Sequence, residues 1–257
     1  MKRFLLLICI AVSVCAALQA QDDDGVRLYE INVGDFEKLR ISDNLSVTYR
    51  CNADSAGMAV FMASPHDMRS LMFTNKRHTL TVQVSTERVM SESPMPHVTI
   101  YSSSIKEIEN KADSTVIVGS IKSDEKVKFK LTDNGTIIAR DVVAPEVEAK
   151  IFTGSGTITI GGLCDKANLR CTGTGLVDAE ELCATDVDCM ILGTGAVRCF
   201  VDGGKLVTKG SGPGRVYYDG SVAEIKSYHL GRLRTIPIDE AEPADSAATE
   251  PEELQEI

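Results

Sequence analysis

Residues 171–179 read Cys171-Thr-Gly-Thr-Gly-Leu-Val-Asp-Ala179. A glycine pair of this kind has two readings. It cradles phosphate where it opens a helix and its N–H groups converge. It turns a corner where the chain passes too close to other backbone for a side chain to fit. Recurrence decides between them. Thr153-Gly-Ser-Gly156, Thr172-Gly-Thr-Gly175, Leu192-Gly-Thr-Gly195 and Lys209-Gly-Ser-Gly212 end in glycines 19, 20 and 17 residues apart. Asp133-Asn-Gly135 stands 21 residues before Gly156, and Gly231 stands 19 after Gly212. A phosphate loop occurs once, whereas a repeat near 20 residues marks a solenoid.

The residues after each glycine alternate with period two. Positions two and four past it are Ile158 and Ile160, Val177 and Ala179, Val197 and Cys199, then Gly214 and Val216. Thr159, Asp178, Arg198 and Arg215 lie between them and are polar. Such alternation predicts a half-buried strand. No window carries a helical apolar stripe. Short strands between glycine corners, about 20 residues per coil, predict an all-β fold: a parallel β-helix whose coils stack about 4.8 Å apart.

The glycine ladder follows the stretch Phe36-Glu-Lys-Leu-Arg-Ile-Ser-Asp-Asn-Leu-Ser-Val-Thr-Tyr49. Together they resemble the head GIN domain family, exported bacterial proteins grouped as autotransporter adhesins. The resemblance spans Asp35 to Gly220 and rests on patterns of small and apolar residues. It implies a β-solenoid and a periplasmic or surface setting, and it brings no catalytic motif. The many cysteines and the long acidic tail depart from the family's usual pattern.

The two ends of the chain read differently. Lys2 and Arg3, the apolar run Phe4–Val14 and Leu18-Gln-Ala20 have the layout of a secretory signal peptide (residues 1–20), with an apolar run too short to span a bilayer. A leader at 21–27, a β-rich region at 28–125, coils at 126–237 and an acidic tail at 238–257 follow. The β-rich region is expected either to continue the solenoid or to cap it, with Ser85–His97 as a loop and Leu233–Pro237 closing the last coil. Eight of the 37 acidic residues lie after Ile238, where no basic residue occurs and little is available to bury, so the tail reads as disordered. The formal net charge is −10, which leaves no basic excess for phosphates and excludes nucleic acid as the expected partner. No later apolar run is long enough to cross a membrane as a helix.

Six cysteines follow residue 20: Cys51, Cys164, Cys171, Cys183, Cys189 and Cys199. None forms a C-x-x-C pair, so zinc and thioredoxin-like chemistry are disfavoured, and no metal or cofactor is expected. Cys164 and Cys183 stand 19 residues apart, each after a leucine. Stacked on adjacent coils they could form a disulfide or pack as small buried thiols. Cys199 is expected in the core. No histidine falls within 146–221, where a nucleophilic cysteine would need its base.

Aligning coils on these glycines predicts an outward column of Asp178, Arg198, Arg215 and Arg232, with Phe200, Tyr217 and Arg234 beside it. Guanidinium forks over aromatic faces suit an acidic glycan, and a solvated charged face is the structural alternative. Asp186 and Asp188 are close enough for carboxylate catalysis, but no long loop is available to wall a cleft around them. The expectation is therefore an exported, non-catalytic binding or scaffold protein of the cell envelope. Its partner would be a glycan or a neighbouring envelope protein. The alternatives are a carbohydrate-active β-helix enzyme and a purely structural envelope protein.

Overall fold

The computed structural model describes residues 25–85 and 95–240. The signal-peptide reading, much of the leader and nearly all of the acidic tail fall outside the described residues. Within them, every strand belongs to one continuous ladder, and the protein is a column of stacked coils. Each coil has three short paired runs. Thr136–Ala139, Val142–Ala144 and Glu146–Ile151 lie in parallel register on Thr157–Ile160, Gly162–Cys164 and Lys166–Cys171. The next coil repeats the arrangement with Leu176, Leu182 and Asp186 opposite Thr157, Gly162 and Lys166.

The inward rows explain why the stack is stable. Val47, Val116, Ile137, Ile158, Val177, Val197 and Val216 pair one above another. All seven are fully buried. β-Branched side chains suit this pleated, crowded surface, and each contributes roughly 1.5–3 kcal/mol by leaving water. A facing row of Leu39, Ile108, Phe129, Ala149, Leu169 and Cys189 fills the core from the other side.

Two glycine ladders run along the corner between these rows. Gly156 and Gly175 belong to one; a Cβ on Gly175 would meet the Gly156 carbonyl oxygen at 2.5 Å. Gly173, at φ +112°, belongs to the other, where the backbone itself excludes most side chains. The fourth coil corrects the sequence alignment. Gly210-Ser-Gly-Pro-Gly214 contains two G-x-G triplets, and Arg215 N–H donates to the Gly195 carbonyl. Gly214 is therefore the counterpart of Gly195, and the spacing from Gly195 is 19 rather than 17.

No boundary falls at residue 125. Lys38–Ile41 and Val127–Leu131 both pair in parallel with Glu107–Asn110, so the ladder passes through that point unbroken. The N-terminal coils are nevertheless stacked out of chain order. Val47–Cys51 is inserted between Val98–Ser102 and Thr115–Val118. Antiparallel strands then cover the outer edges: Met58–Ala63 and Arg27–Asn32 beyond Val98–Ser102, and Leu71–Lys76 beyond Thr79–Val84. A short helix, Pro65–Ser70, links the two edges, with the Ser64 side chain accepting from Asp67 N–H. The region is thus both coil and cap. At the other end Arg234–Pro237 pairs with Arg215–Tyr218, and a single 3-10 turn, Ile238–Glu240, follows.

Candidate functional site

The expected arginine column is only partly formed. Asp178 does lie in register with Arg198. The partner of Arg198 on the next coil, however, is Tyr217, and Arg215 instead pairs with Ala196 below and Arg234 above. This is the two-residue offset of Gly212 against Gly214 carried outward. Arg232 lies in the loop before the last strand, exposed, and Phe200 belongs to a neighbouring run where it pairs with Asp219.

The true register creates something the column did not. Thr157, Leu176 and Ala196 form an outward row of modest side chains that ends at Arg215. On one side rises the corner ridge with Ser155, Thr174, Thr194 and Pro213; on the other stand Arg198 and Tyr217. Together they line a groove of about 510 Å³. Its floor is apolar at Leu176 and Ala196, its ridge carries hydroxyls, and two guanidinium groups mark one end.

These groups are held in place. Arg215 donates to the Tyr217 hydroxyl at 3.4 Å. Arg198 is 3.9 Å from Glu180, too far for a tight ion pair. Tyr217 points outward yet is only 6% exposed, being stacked between Arg198 and Ile236. Along the ridge, the Ser155 N–H and hydroxyl both donate to the Asn134 side-chain oxygen, and the Thr174 hydroxyl donates to the Gly154 carbonyl. Side chains on successive coils thereby fix one another.

The acids considered for catalysis are otherwise engaged. Asp186 accepts from Lys205 N–H at 3.0 Å, and Asp188 pairs with Lys209 at 2.6 Å. They belong to a solvated face with a regular sign pattern, on which Glu146, Lys166 and Asp186 stand in one row. Lys205 and Glu224 extend that row. Among the described residues, no three His, Cys, Asp or Glu side chains converge as a metal site would require.

Cys164 and Cys183 do not share a column. Cys164 pairs with Ala184 and packs against the core, whereas Cys183 pairs with the exposed Leu163. Adjacent residues of a strand face opposite ways, so the two thiols lie on opposite sides of the sheet, and both are free. Burial, with Asp165 nearby, pushes the Cys164 thiol up to about 12. Burial and the Asp202 carboxylate raise that of Cys183, whose thiol lies 3.7 Å from Asp202. Neither is activated as a nucleophile.

Solved structures share this architecture. A putative adhesin from Bacteroides fragilis is 16% identical, with a TM-score of 0.70 over 84% of this chain and 99% of that one. A putative adhesin from Parabacteroides merdae is 17% identical, with a TM-score of 0.64 over 84% and 97%. A putative lipid binding protein from Parabacteroides distasonis is 16% identical, with a TM-score of 0.62 over 83% and 98%. At these identities the likeness shows the fold. No curated protein matches the sequence. No helix among the described residues is long and apolar enough to cross a membrane. The sequence of residues 35–221 matches the family described as "Putative auto-transporter adhesin, head GIN domain", and the chain belongs to it.

Proposed function

We propose that this adhesin-family protein acts outside the cytoplasm and binds an acidic carbohydrate in the groove between the glycine ridge and Arg198. The observation that carries the reading is the convergence of Arg198 and Arg215 at one end of a groove with an apolar floor and a hydroxyl-bearing ridge. Guanidinium groups recognise carboxylate or sulfate through paired N–H donors. Leu176 and Ala196 offer an apolar surface to a sugar face, and Ser155, Thr174 and Thr194 face its hydroxyls. Arg232 and Phe200, proposed from sequence for the same ligand, lie away from this groove, and Tyr217 acts by holding Arg215.

The test is retention on immobilised acidic and neutral polysaccharides and mucins, with release of new sugar ends measured in parallel. Retention on acidic polymers, lost in the double variant Arg198→Glu and Arg215→Glu with unchanged melting temperature, is expected. Release of new ends would instead make the protein an enzyme. Retention on anionic phospholipid vesicles but on no polysaccharide would favour a lipid ligand, the kind of ligand named for the Parabacteroides distasonis neighbour.

A further inference from the structure

One end of the groove is rich in cations, and the chain leaves the solenoid beside it. Arg215 and Arg234 are register partners on adjacent coils. Like charges directly opposite one another are destabilising, a cost that an anion between them removes. Arg198 stands one coil below Tyr217. Pro213, on the ridge of the groove, also borders a second hollow of about 520 Å³ that Arg232 helps to line. Four guanidinium groups therefore gather around this end. The lysines of the last coils differ, because each has a close carboxylate. Lys209 lies 2.6 Å from Asp188, Lys226 2.9 Å from Glu224 and Lys205 3.6 Å from Glu224. For Arg198 the ion-pair distance is 3.9 Å, to Glu180.

Ile236 pairs with Tyr217, and the 3-10 turn Ile238–Glu240 follows at once. Residues 241–257 come next, with six acidic residues and no basic one. From Ile236 to Arg198 is two coil spacings, about 10 Å. A stretch of 17 extended residues spans up to about 55 Å, so every one of these acids can reach the groove. A short tether also presents them at roughly millimolar effective concentration. We propose that the acidic segment 241–257 turns back along the end of the solenoid and occupies the groove, its carboxylates on Arg215 and Arg198. The segment is then a built-in competitor that an acidic ligand must displace. Its docking stands on charge and reach, whereas the competition rests on the glycan reading above.

The experiment uses the full chain with Arg215→Lys, which keeps the charge and puts a primary amine in the groove. At low protein concentration, a water-soluble carbodiimide joins that amine to a carboxylate touching it. Trypsin leaves the acidic segment in one piece, residues 235–257, because no lysine or arginine follows Arg234. The expected result, in protein of monomer size, is this peptide joined to residues 210–226 through an acid between Glu242 and Glu256. The yield should at least halve in 1 M salt. Arg198→Lys, treated in the same way, should join it to residues 171–205. Absence of both junctions would overturn the docking, as would coupling only to Lys205, Lys209 or Lys226, or only to a second copy. Retention is the second measurement. Changing all six acids to their amides should strengthen retention on acidic polysaccharide about 2–10-fold at low salt. Equal retention by the two proteins would overturn the competition. A junction in protein that no polysaccharide retains would sink the glycan reading and leave the docking standing.

Discussion

Arg198 and Tyr217 are register partners on adjacent coils, and the Tyr217 hydroxyl receives a hydrogen bond from Arg215. Tyr217 therefore sits beside Arg198 in the ladder while its hydroxyl holds the guanidinium of Arg215. Tyr217→Phe removes only the hydroxyl and should cost about 0.5–1.5 kcal/mol. Tyr217→Ala removes a ring that is almost fully covered and should cost about 3–5 kcal/mol. Denaturant unfolding of both variants separates the two contributions. Equal costs would mean that the ring itself supports nothing.

The groove floor offers a cleaner test of binding than the arginines do, because it leaves charge unchanged. Ala196 points outward between Leu176 and Arg215. Ala196→Phe should fill the groove and abolish polysaccharide retention. Stability should shift by no more than about 0.5 kcal/mol, as for surface changes away from special features. Retention equal to that of the unaltered protein would place the ligand elsewhere.

The repeat and its inward rows were legible because period and alternation are local properties. Ile158, Val177 and Val197 could be assigned to the core from their distance to the preceding glycine. The outward face was harder to read. Gly210-Ser-Gly-Pro-Gly214 permits two registers differing by two residues, and both keep Val216 inward, so the core pattern cannot choose between them. Only contact with the coil below selects Gly214, and with it the place of Arg215. The N-terminal stacking was illegible for another reason. Val47–Cys51 lies beside a strand some fifty positions later, Val98–Ser102, and no local spacing encodes such a pairing.

The glycine corners should differ in what they tolerate. A Cβ at Gly175 collides with the Gly156 carbonyl and lies 3.0 Å from Ile151 Cδ1. Backbone oxygen cannot move without disturbing the ladder, so Gly175→Ala should cost about 1–3 kcal/mol. Gly203 has open space around it but sits at φ +76°. Gly203→Ala should therefore cost only about 1–2 kcal/mol of backbone strain, and Gly203→Asn less, because asparagine tolerates that region. Melting temperatures of the three variants check this, and a loss in Gly203→Asn as large as that in Gly175→Ala would contradict it.

One part of the pH response is set by Lys126. Lys126 lies 2.6 Å from Glu148 and 2.9 Å from Glu146. Burial raises the Glu148 carboxyl, but the hydrogen bond it accepts from Lys126 and the positive charges of Lys126, Lys128 and Arg170 together outweigh burial and hold it below the usual glutamate range. A lowered folded-state value means stability that is complete above the unfolded value, about 4.3. That stability is lost as pH falls through the folded value. Melting temperature should therefore drop as pH falls from about 4.5 toward 3. In Lys126→Gln it should be lower at pH 7 but decline less steeply with acid. Parallel curves for the two proteins would show that Glu148 does not contribute.

The sign pattern of the solvated face can be inverted at a single position. Lys166 lies in register between Glu146 and Asp186, at about one coil spacing from each. Lys166→Glu would put three carboxylates in a row where cross-strand neighbours now alternate. Like charges directly opposite are destabilising by a few tenths to about 1 kcal/mol per pair, and exposure keeps the value low. The expected loss is about 1 kcal/mol at low salt. It should shrink as ionic strength approaches 1 M, where charges are screened within about 3 Å. Lys166→Gln, which removes attraction without adding repulsion, should fall between the two. A salt-independent loss in Lys166→Glu would point to lost packing of the lysine stem instead. In that case the Gln variant would lose about as much as the Glu variant.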